Sequence, residues 1–103
     1  LWDKQVIRQR LAMLAARVAA ARQLVYATAA RDAAGEDVVR EVSMVKALCG
    51  ELVNEVAYAC LQFHGGAGWM EGMAIERLAR DVRVQAIGGG ATEVMLEEVA
   101  KRL

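Results

Sequence analysis

The chain has 103 residues, enough for one domain around one core. It is 56% hydrophobic with no proline, and alanine, leucine, arginine and glutamate dominate, which is the composition of a helical protein. Thirteen acidic and thirteen basic residues cancel, so no global charge points to nucleic acid or a membrane surface; two cysteines and one histidine cannot close a zinc site, and no apolar run reaches the roughly 18 residues of a membrane span.

The first segment is predicted helical from Asp3 to Ala34. Ile7, Leu11, Leu14, Val18, Ala21 and Val25 step by four and three along one face. Asp3 is the candidate N-cap, and Gly35 stands where a helix ends on a left-handed residue. Lys4, Arg8, Arg10, Arg17, Arg22 and Arg31 make this helix basic; such charge can meet phosphate groups, but most of these residues are expected to be a solvated face whose aliphatic stems cover apolar surface.

The second helix is predicted from Glu36 to His64, so that Gly35 alone joins the two as an antiparallel hairpin. Val38, Val42, Val45, Cys49, Leu52, Val56, Cys60 and Phe63 form its main stripe, with Val39, Val53, Ala57 and Leu61 widening it. A face that wide predicts self-association. Gly50 costs about 1 kcal/mol inside a helix, which close packing would explain. Cys49 and Cys60 lie about 16 Å apart along the axis, too far to bridge, and are expected to be small buried hydrophobes.

A glycine-rich loop follows from Gly65 to Gly72. A short helix is predicted from Met73 to Val84, with Glu76–Arg80 and Arg77–Asp81 as i,i+4 ion pairs. Gly88-Gly89-Gly90 then leads into a last helix, Thr92 to Leu103, with Thr92 as N-cap. The predicted fold is all-α, a four-helix up-and-down bundle of two long and two shorter helices over residues 1–103. Seven of the nine glycines fall from Gly65 onward, and glycine there serves tight turns or close approach to a ligand.

Three motifs carry a resemblance. Gln62-Phe63-His64-Gly65-Gly66-Ala67-Gly68-Trp69, Glu76-Arg77-Leu78-Ala79-Arg80-Asp81-Val82-Arg83 and Ile87-Gly88-Gly89-Gly90-Ala91-Thr92-Glu93 stand in order and in register. Together they resemble the C-terminal helical domain of the acyl-CoA dehydrogenase family. Leu1 to Gln5 matches the end of a further family segment, so the resemblance covers the whole chain.

The resemblance implies FAD as cofactor, an acyl-CoA substrate desaturated to a 2-enoyl-CoA, an electron-transfer flavoprotein as partner, and a homo-oligomer, dimer or tetramer. It implies FAD contacts at Gln62, Phe63, His64, Gly65 and Gly66, toward the adenosine-diphosphate part of a cofactor held mainly by a neighbouring subunit. Gln5 falls near the adenine end, Ala91, Thr92 and Glu93 lie by the flavin, and Gly90 approaches the substrate. His64 is no nucleophile partner and is counted only as part of its segment.

One departure matters. Many members carry the catalytic glutamate where this chain has Gly89, and glycine cannot take a proton. In the branch that includes isovaleryl-CoA and long-chain dehydrogenases, the base comes from an earlier helix. The chain opens on Leu1 without methionine, which fits a C-terminal domain separated from a larger enzyme. Two alternatives stand: a related flavin monooxygenase or oxidase domain, and a stand-alone, non-catalytic helical interaction module. Alanine- and arginine-rich usage without a targeting segment suggests a bacterial cytoplasm, or the mitochondrial matrix in a eukaryote.

Overall fold

The computed structural model describes all 103 residues. Four α-helices, α1 (Gln5–Ala33), α2 (Val39–Trp69), α3 (Ala74–Asp81) and α4 (Thr92–Ala100), are joined by short connections, with a 3-10 segment at Val82–Ala86. The all-α architecture matches the sequence expectation. Its centre is α2, against which α1, α3, the 3-10 segment and α4 all pack.

Side-chain pairings give the directions. Arg17 reaches Glu55, and the Arg10 guanidinium lies 5.6 Å from the centre of the Phe63 ring, so α1 runs antiparallel to α2. Thr92 meets Glu51 and Arg40 reaches the Arg102 carbonyl, so α4 is antiparallel to α2 as well. Arg10, Arg17 and, near the turn, Arg31, which pairs with Glu41, thus each find a partner on α2 from the basic face of α1, which the sequence read mainly as solvated.

The hairpin turn follows local chemistry. Gly35 has φ +81°; its N–H donates to the Asp32 carbonyl, and the Glu36 N–H donates to the Arg31 carbonyl. That is the double bond of a Schellman stop, as Gly35 predicted. The connection is longer than the single glycine expected: Glu36 to Val38 stay outside α2, and the Asp37 carboxylate accepts from the Val39 N–H. At the other end Asp3 is not the cap. Lys4 holds that position with extended backbone, and no side chain caps the helix.

The core is thin. Leu14, Ala21, Leu52 and Ala59 are buried, Cys49 and Cys60 are only half-buried, and no large side chain is fully enclosed. The accessible surface is 7115 Å², where a monomer of this mass normally shows about 5700 Å². The radius of gyration is 16.1 Å against about 13 Å for a typical domain of this length.

Opposite α1, the buried face of α2 uses small residues. Ser43, Ala47, Gly50 and Ala57 are buried there at helical spacing. A Cβ on Gly50 would lie 2.8 Å from the Gln85 carbonyl oxygen, so glycine is what lets the 3-10 backbone lie against α2.

Candidate functional site

The expected loop at Gly65 is a kink inside α2. Gly65 has φ +61° and ψ −153°, a region essentially restricted to glycine, and helix resumes to Trp69. Resumption is local: Gly68 is buried and packs back on His64, whose Cβ would sit 2.5 Å from any Cβ added there. The His64 Nδ1 donates to the Cys60 carbonyl, 2.8 Å away, which fixes the ring against its own helix. Phe63 is half-buried under Arg10, and Gln62 is exposed.

Gln62, Gly65, Gly66, Tyr58, Leu61 and Trp69 line an open groove of about 370 Å³. Through Tyr58 and Leu61 it continues into a second groove of about 430 Å³, walled by Glu51, Asn54, Arg83 and Ala86. Gln5 is exposed in the first turn of α1, at the same end of the hairpin as Phe63. Of the first candidate segment, Gln62, Gly65 and Gly66 share the first groove, whereas Phe63 and His64 are not among its lining residues.

Gly66 differs from its neighbour. Its φ is not positive, and a Cβ there would meet nothing within 4 Å. Neither backbone geometry nor packing inside this chain requires glycine at 66. Gly88 is nearly as free, with only Val84 at ordinary contact distance. Both glycines sit in the segments that the sequence singled out.

The second segment follows the 3-10 turn. The predicted third helix ends early: after Asp81 the chain tightens to 3-10 geometry, and the Ile87 and Gly88 N–H groups both donate to the Val84 carbonyl. Gly89 and Gly90 have φ +69° and +113°. The N–H groups of Gly89, Gly90 and Ala91 donate to no acceptor in the chain. Three successive free donors at a helix N-terminus suit an anionic or polar ligand edge. Gly90 is backed by the Met95 side chain.

Ala91, not Thr92, takes the N-cap position of α4. The Thr92 hydroxyl instead donates to the Glu51 carboxylate at 2.8 Å. A carboxylate across the groove outcompetes the local backbone because the bond to it is charge-assisted. Glu93 is exposed in the first turn, and α4 ends at Ala100, three residues before the chain end.

Sequence reasoning missed Lys46 and Asn54. Lys46 donates to the Gln85 carbonyl and runs beneath Gly89; Asn54 donates to the Val82 carbonyl. Lys46, Gly50 and Asn54 stand at i, i+4 and i+8, a spacing visible in the sequence once one asks which polar residues share the glycine's face.

The charged helix α3 is structural. Arg80 pairs with Glu76, and that bond holds the Glu76 carboxyl below the usual glutamate range. The predicted Arg77–Asp81 pair does not form. At the far end of the hairpin, Arg31 and Arg40 both pair with the buried Glu41, and the Arg40 bond lowers its pKa.

The two candidate segments are separate. Thr92 meets α2 at Glu51, eleven residues before Gln62, or about 16 Å along the helix. The groove along Tyr58 and Leu61 runs between them.

The sequence matches the family profile described as "Acyl-CoA dehydrogenase, C-terminal domain" over residues 1–103. It is 39% identical to a 3-(aryl)acrylate reductase of Clostridium sporogenes, over 96% of this chain and 26% of that protein. A long-chain specific acyl-CoA dehydrogenase of Sus scrofa is 48% identical over 59% of this chain and 14% of its own length. A probable acyl-CoA dehydrogenase of Mycobacterium abscessus superposes with a TM-score of 0.93 at 43% identity, over 97% of this chain and 27% of its own. The chain thus spans about a quarter of the length of relatives that match it from end to end.

Proposed function

Because this chain belongs to the acyl-CoA dehydrogenase family, whose flavin-dependent oxidoreductases share its C-terminal domain, we propose that it works within a longer enzyme that desaturates an acyl-CoA at the α,β bond. The observation that carries this reading is the pair of glycines, Gly66 and Gly88, whose lack of a side chain serves nothing inside the fold. Their bareness is accounted for if a ligand lies against the backbone at both places.

When bound, FAD supplies the two-electron acceptor for that reaction. On this reading the Gln62 amide offers donor and acceptor to the adenosine-diphosphate part, while Gly65 and Gly66 keep the backbone open beside it. Phe63 and His64 shape the same turn, and Gln5 stands toward the adenine end. Ala91, Thr92 and Glu93 lie by the flavin, and the Gly90 backbone faces the acyl thioester. The donor set fits a polar, phosphate-bearing cofactor: three free N–H groups at one surface and a carboxamide at the other.

The two segments stand about 16 Å apart along α2, and the FAD contacts proposed for the Gln62 segment go to a cofactor held mainly by a neighbouring subunit. The excess accessible surface supports burial against the rest of the longer enzyme and in a dimer or tetramer. Gly89 cannot serve as base, so the proton acceptor comes from outside these 103 residues. Electron-transfer flavoprotein is the proposed acceptor, and the bacterial cytoplasm or mitochondrial matrix the proposed compartment. No helix is long and apolar enough to cross a membrane.

The test is spectroscopic. The gene product including any coding sequence upstream of Leu1 is expected to purify yellow and to bleach on adding acyl-CoA. A colourless product rejects the reading. The 103-residue chain alone is expected to lack stoichiometric flavin and to scatter light as a dimer or larger species; a strict monomer removes the argument from surface. The likeness to a 3-(aryl)acrylate reductase favours assaying the reverse direction too, with a 2-enoyl acceptor and a reduced donor.

A further inference from the structure

The loop Gly88–Ala91 has no side chain longer than a methyl group, so no side chain of its own can fix its position. It is held from α2. Upstream, Lys46 and Asn54 donate to the carbonyls of Gln85 and Val82, and Gly50 lets that backbone seat against the helix. Downstream, Glu51 accepts the Thr92 hydroxyl. All four α2 residues fall within nine positions, so one helix brackets both ends of a glycine-rich loop.

The downstream bond also sets a polarity. A hydroxyl has one hydrogen and two lone pairs. With its hydrogen committed to the Glu51 carboxylate, Thr92 offers only acceptor capacity to anything in front of it. The neighbouring Ala91 offers no hydroxyl at all. The backbone N–H groups of Gly89 to Ala91 supply donors. The surface therefore presents donors from the loop and one acceptor from the first turn of α4.

We propose that Lys46, Glu51 and Asn54 are positioning residues that bracket the Gly88–Thr92 loop, and that Glu51 makes Thr92 a hydrogen-bond acceptor toward an N–H or O–H of the bound flavin. This inference rests on the flavin reading above. It adds Glu51, acting through the Thr92 hydroxyl, to the determinants of the flavin's environment.

The experiment uses the flavin-loaded enzyme that carries this domain, with Glu51→Gln, Glu51→Asp, Thr92→Val and Thr92→Ser, and the double variant Glu51→Gln/Thr92→Val. Four readouts are taken: the visible flavin spectrum, kcat, KM for acyl-CoA, and the melting temperature. Glu51→Gln is expected to shift the flavin band and lower kcat about tenfold, with KM changed less than about twofold. Glu51→Asp and Thr92→Ser restore most of both. The double variant is expected to be no worse than Thr92→Val alone, because Glu51 acts through that hydroxyl.

Additive losses in the double variant, or a lower melting temperature with an unchanged flavin band, reduce Glu51 to a structural residue and overturn the proposal. An enzyme that binds flavin and turns over normally in all variants overturns it too while leaving the flavin reading intact. Absence of flavin from the unmodified enzyme overturns both.

Discussion

On the side of α2 that faces α1, Leu52, Val53, Val56 and Cys49 meet Val18, Ala21 and Val25 across a shallow apolar cleft, with Arg17–Glu55 and Arg10–Phe63 at its margin. On the side that faces the 3-10 segment and α4, the helix offers Ser43, Ala47, Gly50 and Ala57, and polar side chains that bond backbone. Aliphatic side chains in an open cleft fix a helix by area, which tolerates small rotations. Small residues with directional hydrogen bonds fix a backbone in one place. The first side holds a helix to the hairpin; the second holds a functional loop. The difference explains why the thin core does not leave the loop unspecified.

The largest expected effect lies on the apolar side. Leu52→Ala removes one of the few well-buried aliphatic side chains and is expected to cost about 2–3 kcal/mol, the lower part of the range for such truncations, because the cleft is already open. Urea unfolding of the chain measures it. A loss below about 1 kcal/mol means that α1 is held mainly by its ion pairs, and the contrast between the two sides fails.

Gly50→Ala is the matching change on the small-residue side. Alanine gains about 1 kcal/mol of helix propensity. The new Cβ meets backbone, the Gln85 oxygen at 2.8 Å and the Ala86 Cα at 3.2 Å, which cannot rotate away. Overpacking of that kind costs about 1–3 kcal/mol, so a net loss of about 1 kcal/mol is expected. A stabilised Gly50→Ala would show that the 3-10 segment slides freely on α2.

A smaller change should run the other way. The Thr28 hydroxyl is buried near the α1–α2 turn and has no hydrogen-bond partner. Thr28→Val keeps the shape and removes the unsatisfied group, and is expected to stabilise by up to about 1 kcal/mol. It would mark polar groups on the α1 side as incidental, whereas Asn54→Ala on the other side should destabilise.

Much of this was legible in the residues, for reasons that differ by region. The apolar stepping of Leu14, Val18 and Ala21, and the stop at Gly35, depend on short-range geometry, so both appear in the structure as expected. The motifs at Gln62–Trp69 and Ile87–Glu93 were visible as glycine-rich segments, but their conformations were not. Past Gly65, α2 continues with Gly68 packed against His64, and the Thr92 hydroxyl finds its partner in Glu51, forty-one residues away, neither of which local sequence announces. Lys46 and Asn54 escaped notice because their partners are backbone carbonyls, which carry no residue identity.

Gly66→Ala separates fold from function most sharply, though its effect on stability is the smallest. Nothing lies within 4 Å of the added methyl, and φ at 66 is compatible with alanine. Reduced freedom of the unfolded chain then favours the variant by about 0.4–1 kcal/mol. The neighbouring Gly65→Ala cannot share that gain, because its backbone lies where only glycine is comfortable. In the flavin-loaded enzyme the same methyl enters the space assigned to the cofactor, so flavin retention on dialysis should fall while the melting temperature of the flavin-free chain rises. A fall in both places Gly66 in the packing of α2. A rise in both leaves the groove beside Gln62 without a ligand against its backbone, and the FAD contact must then be sought at the loop that Glu51 and Lys46 hold.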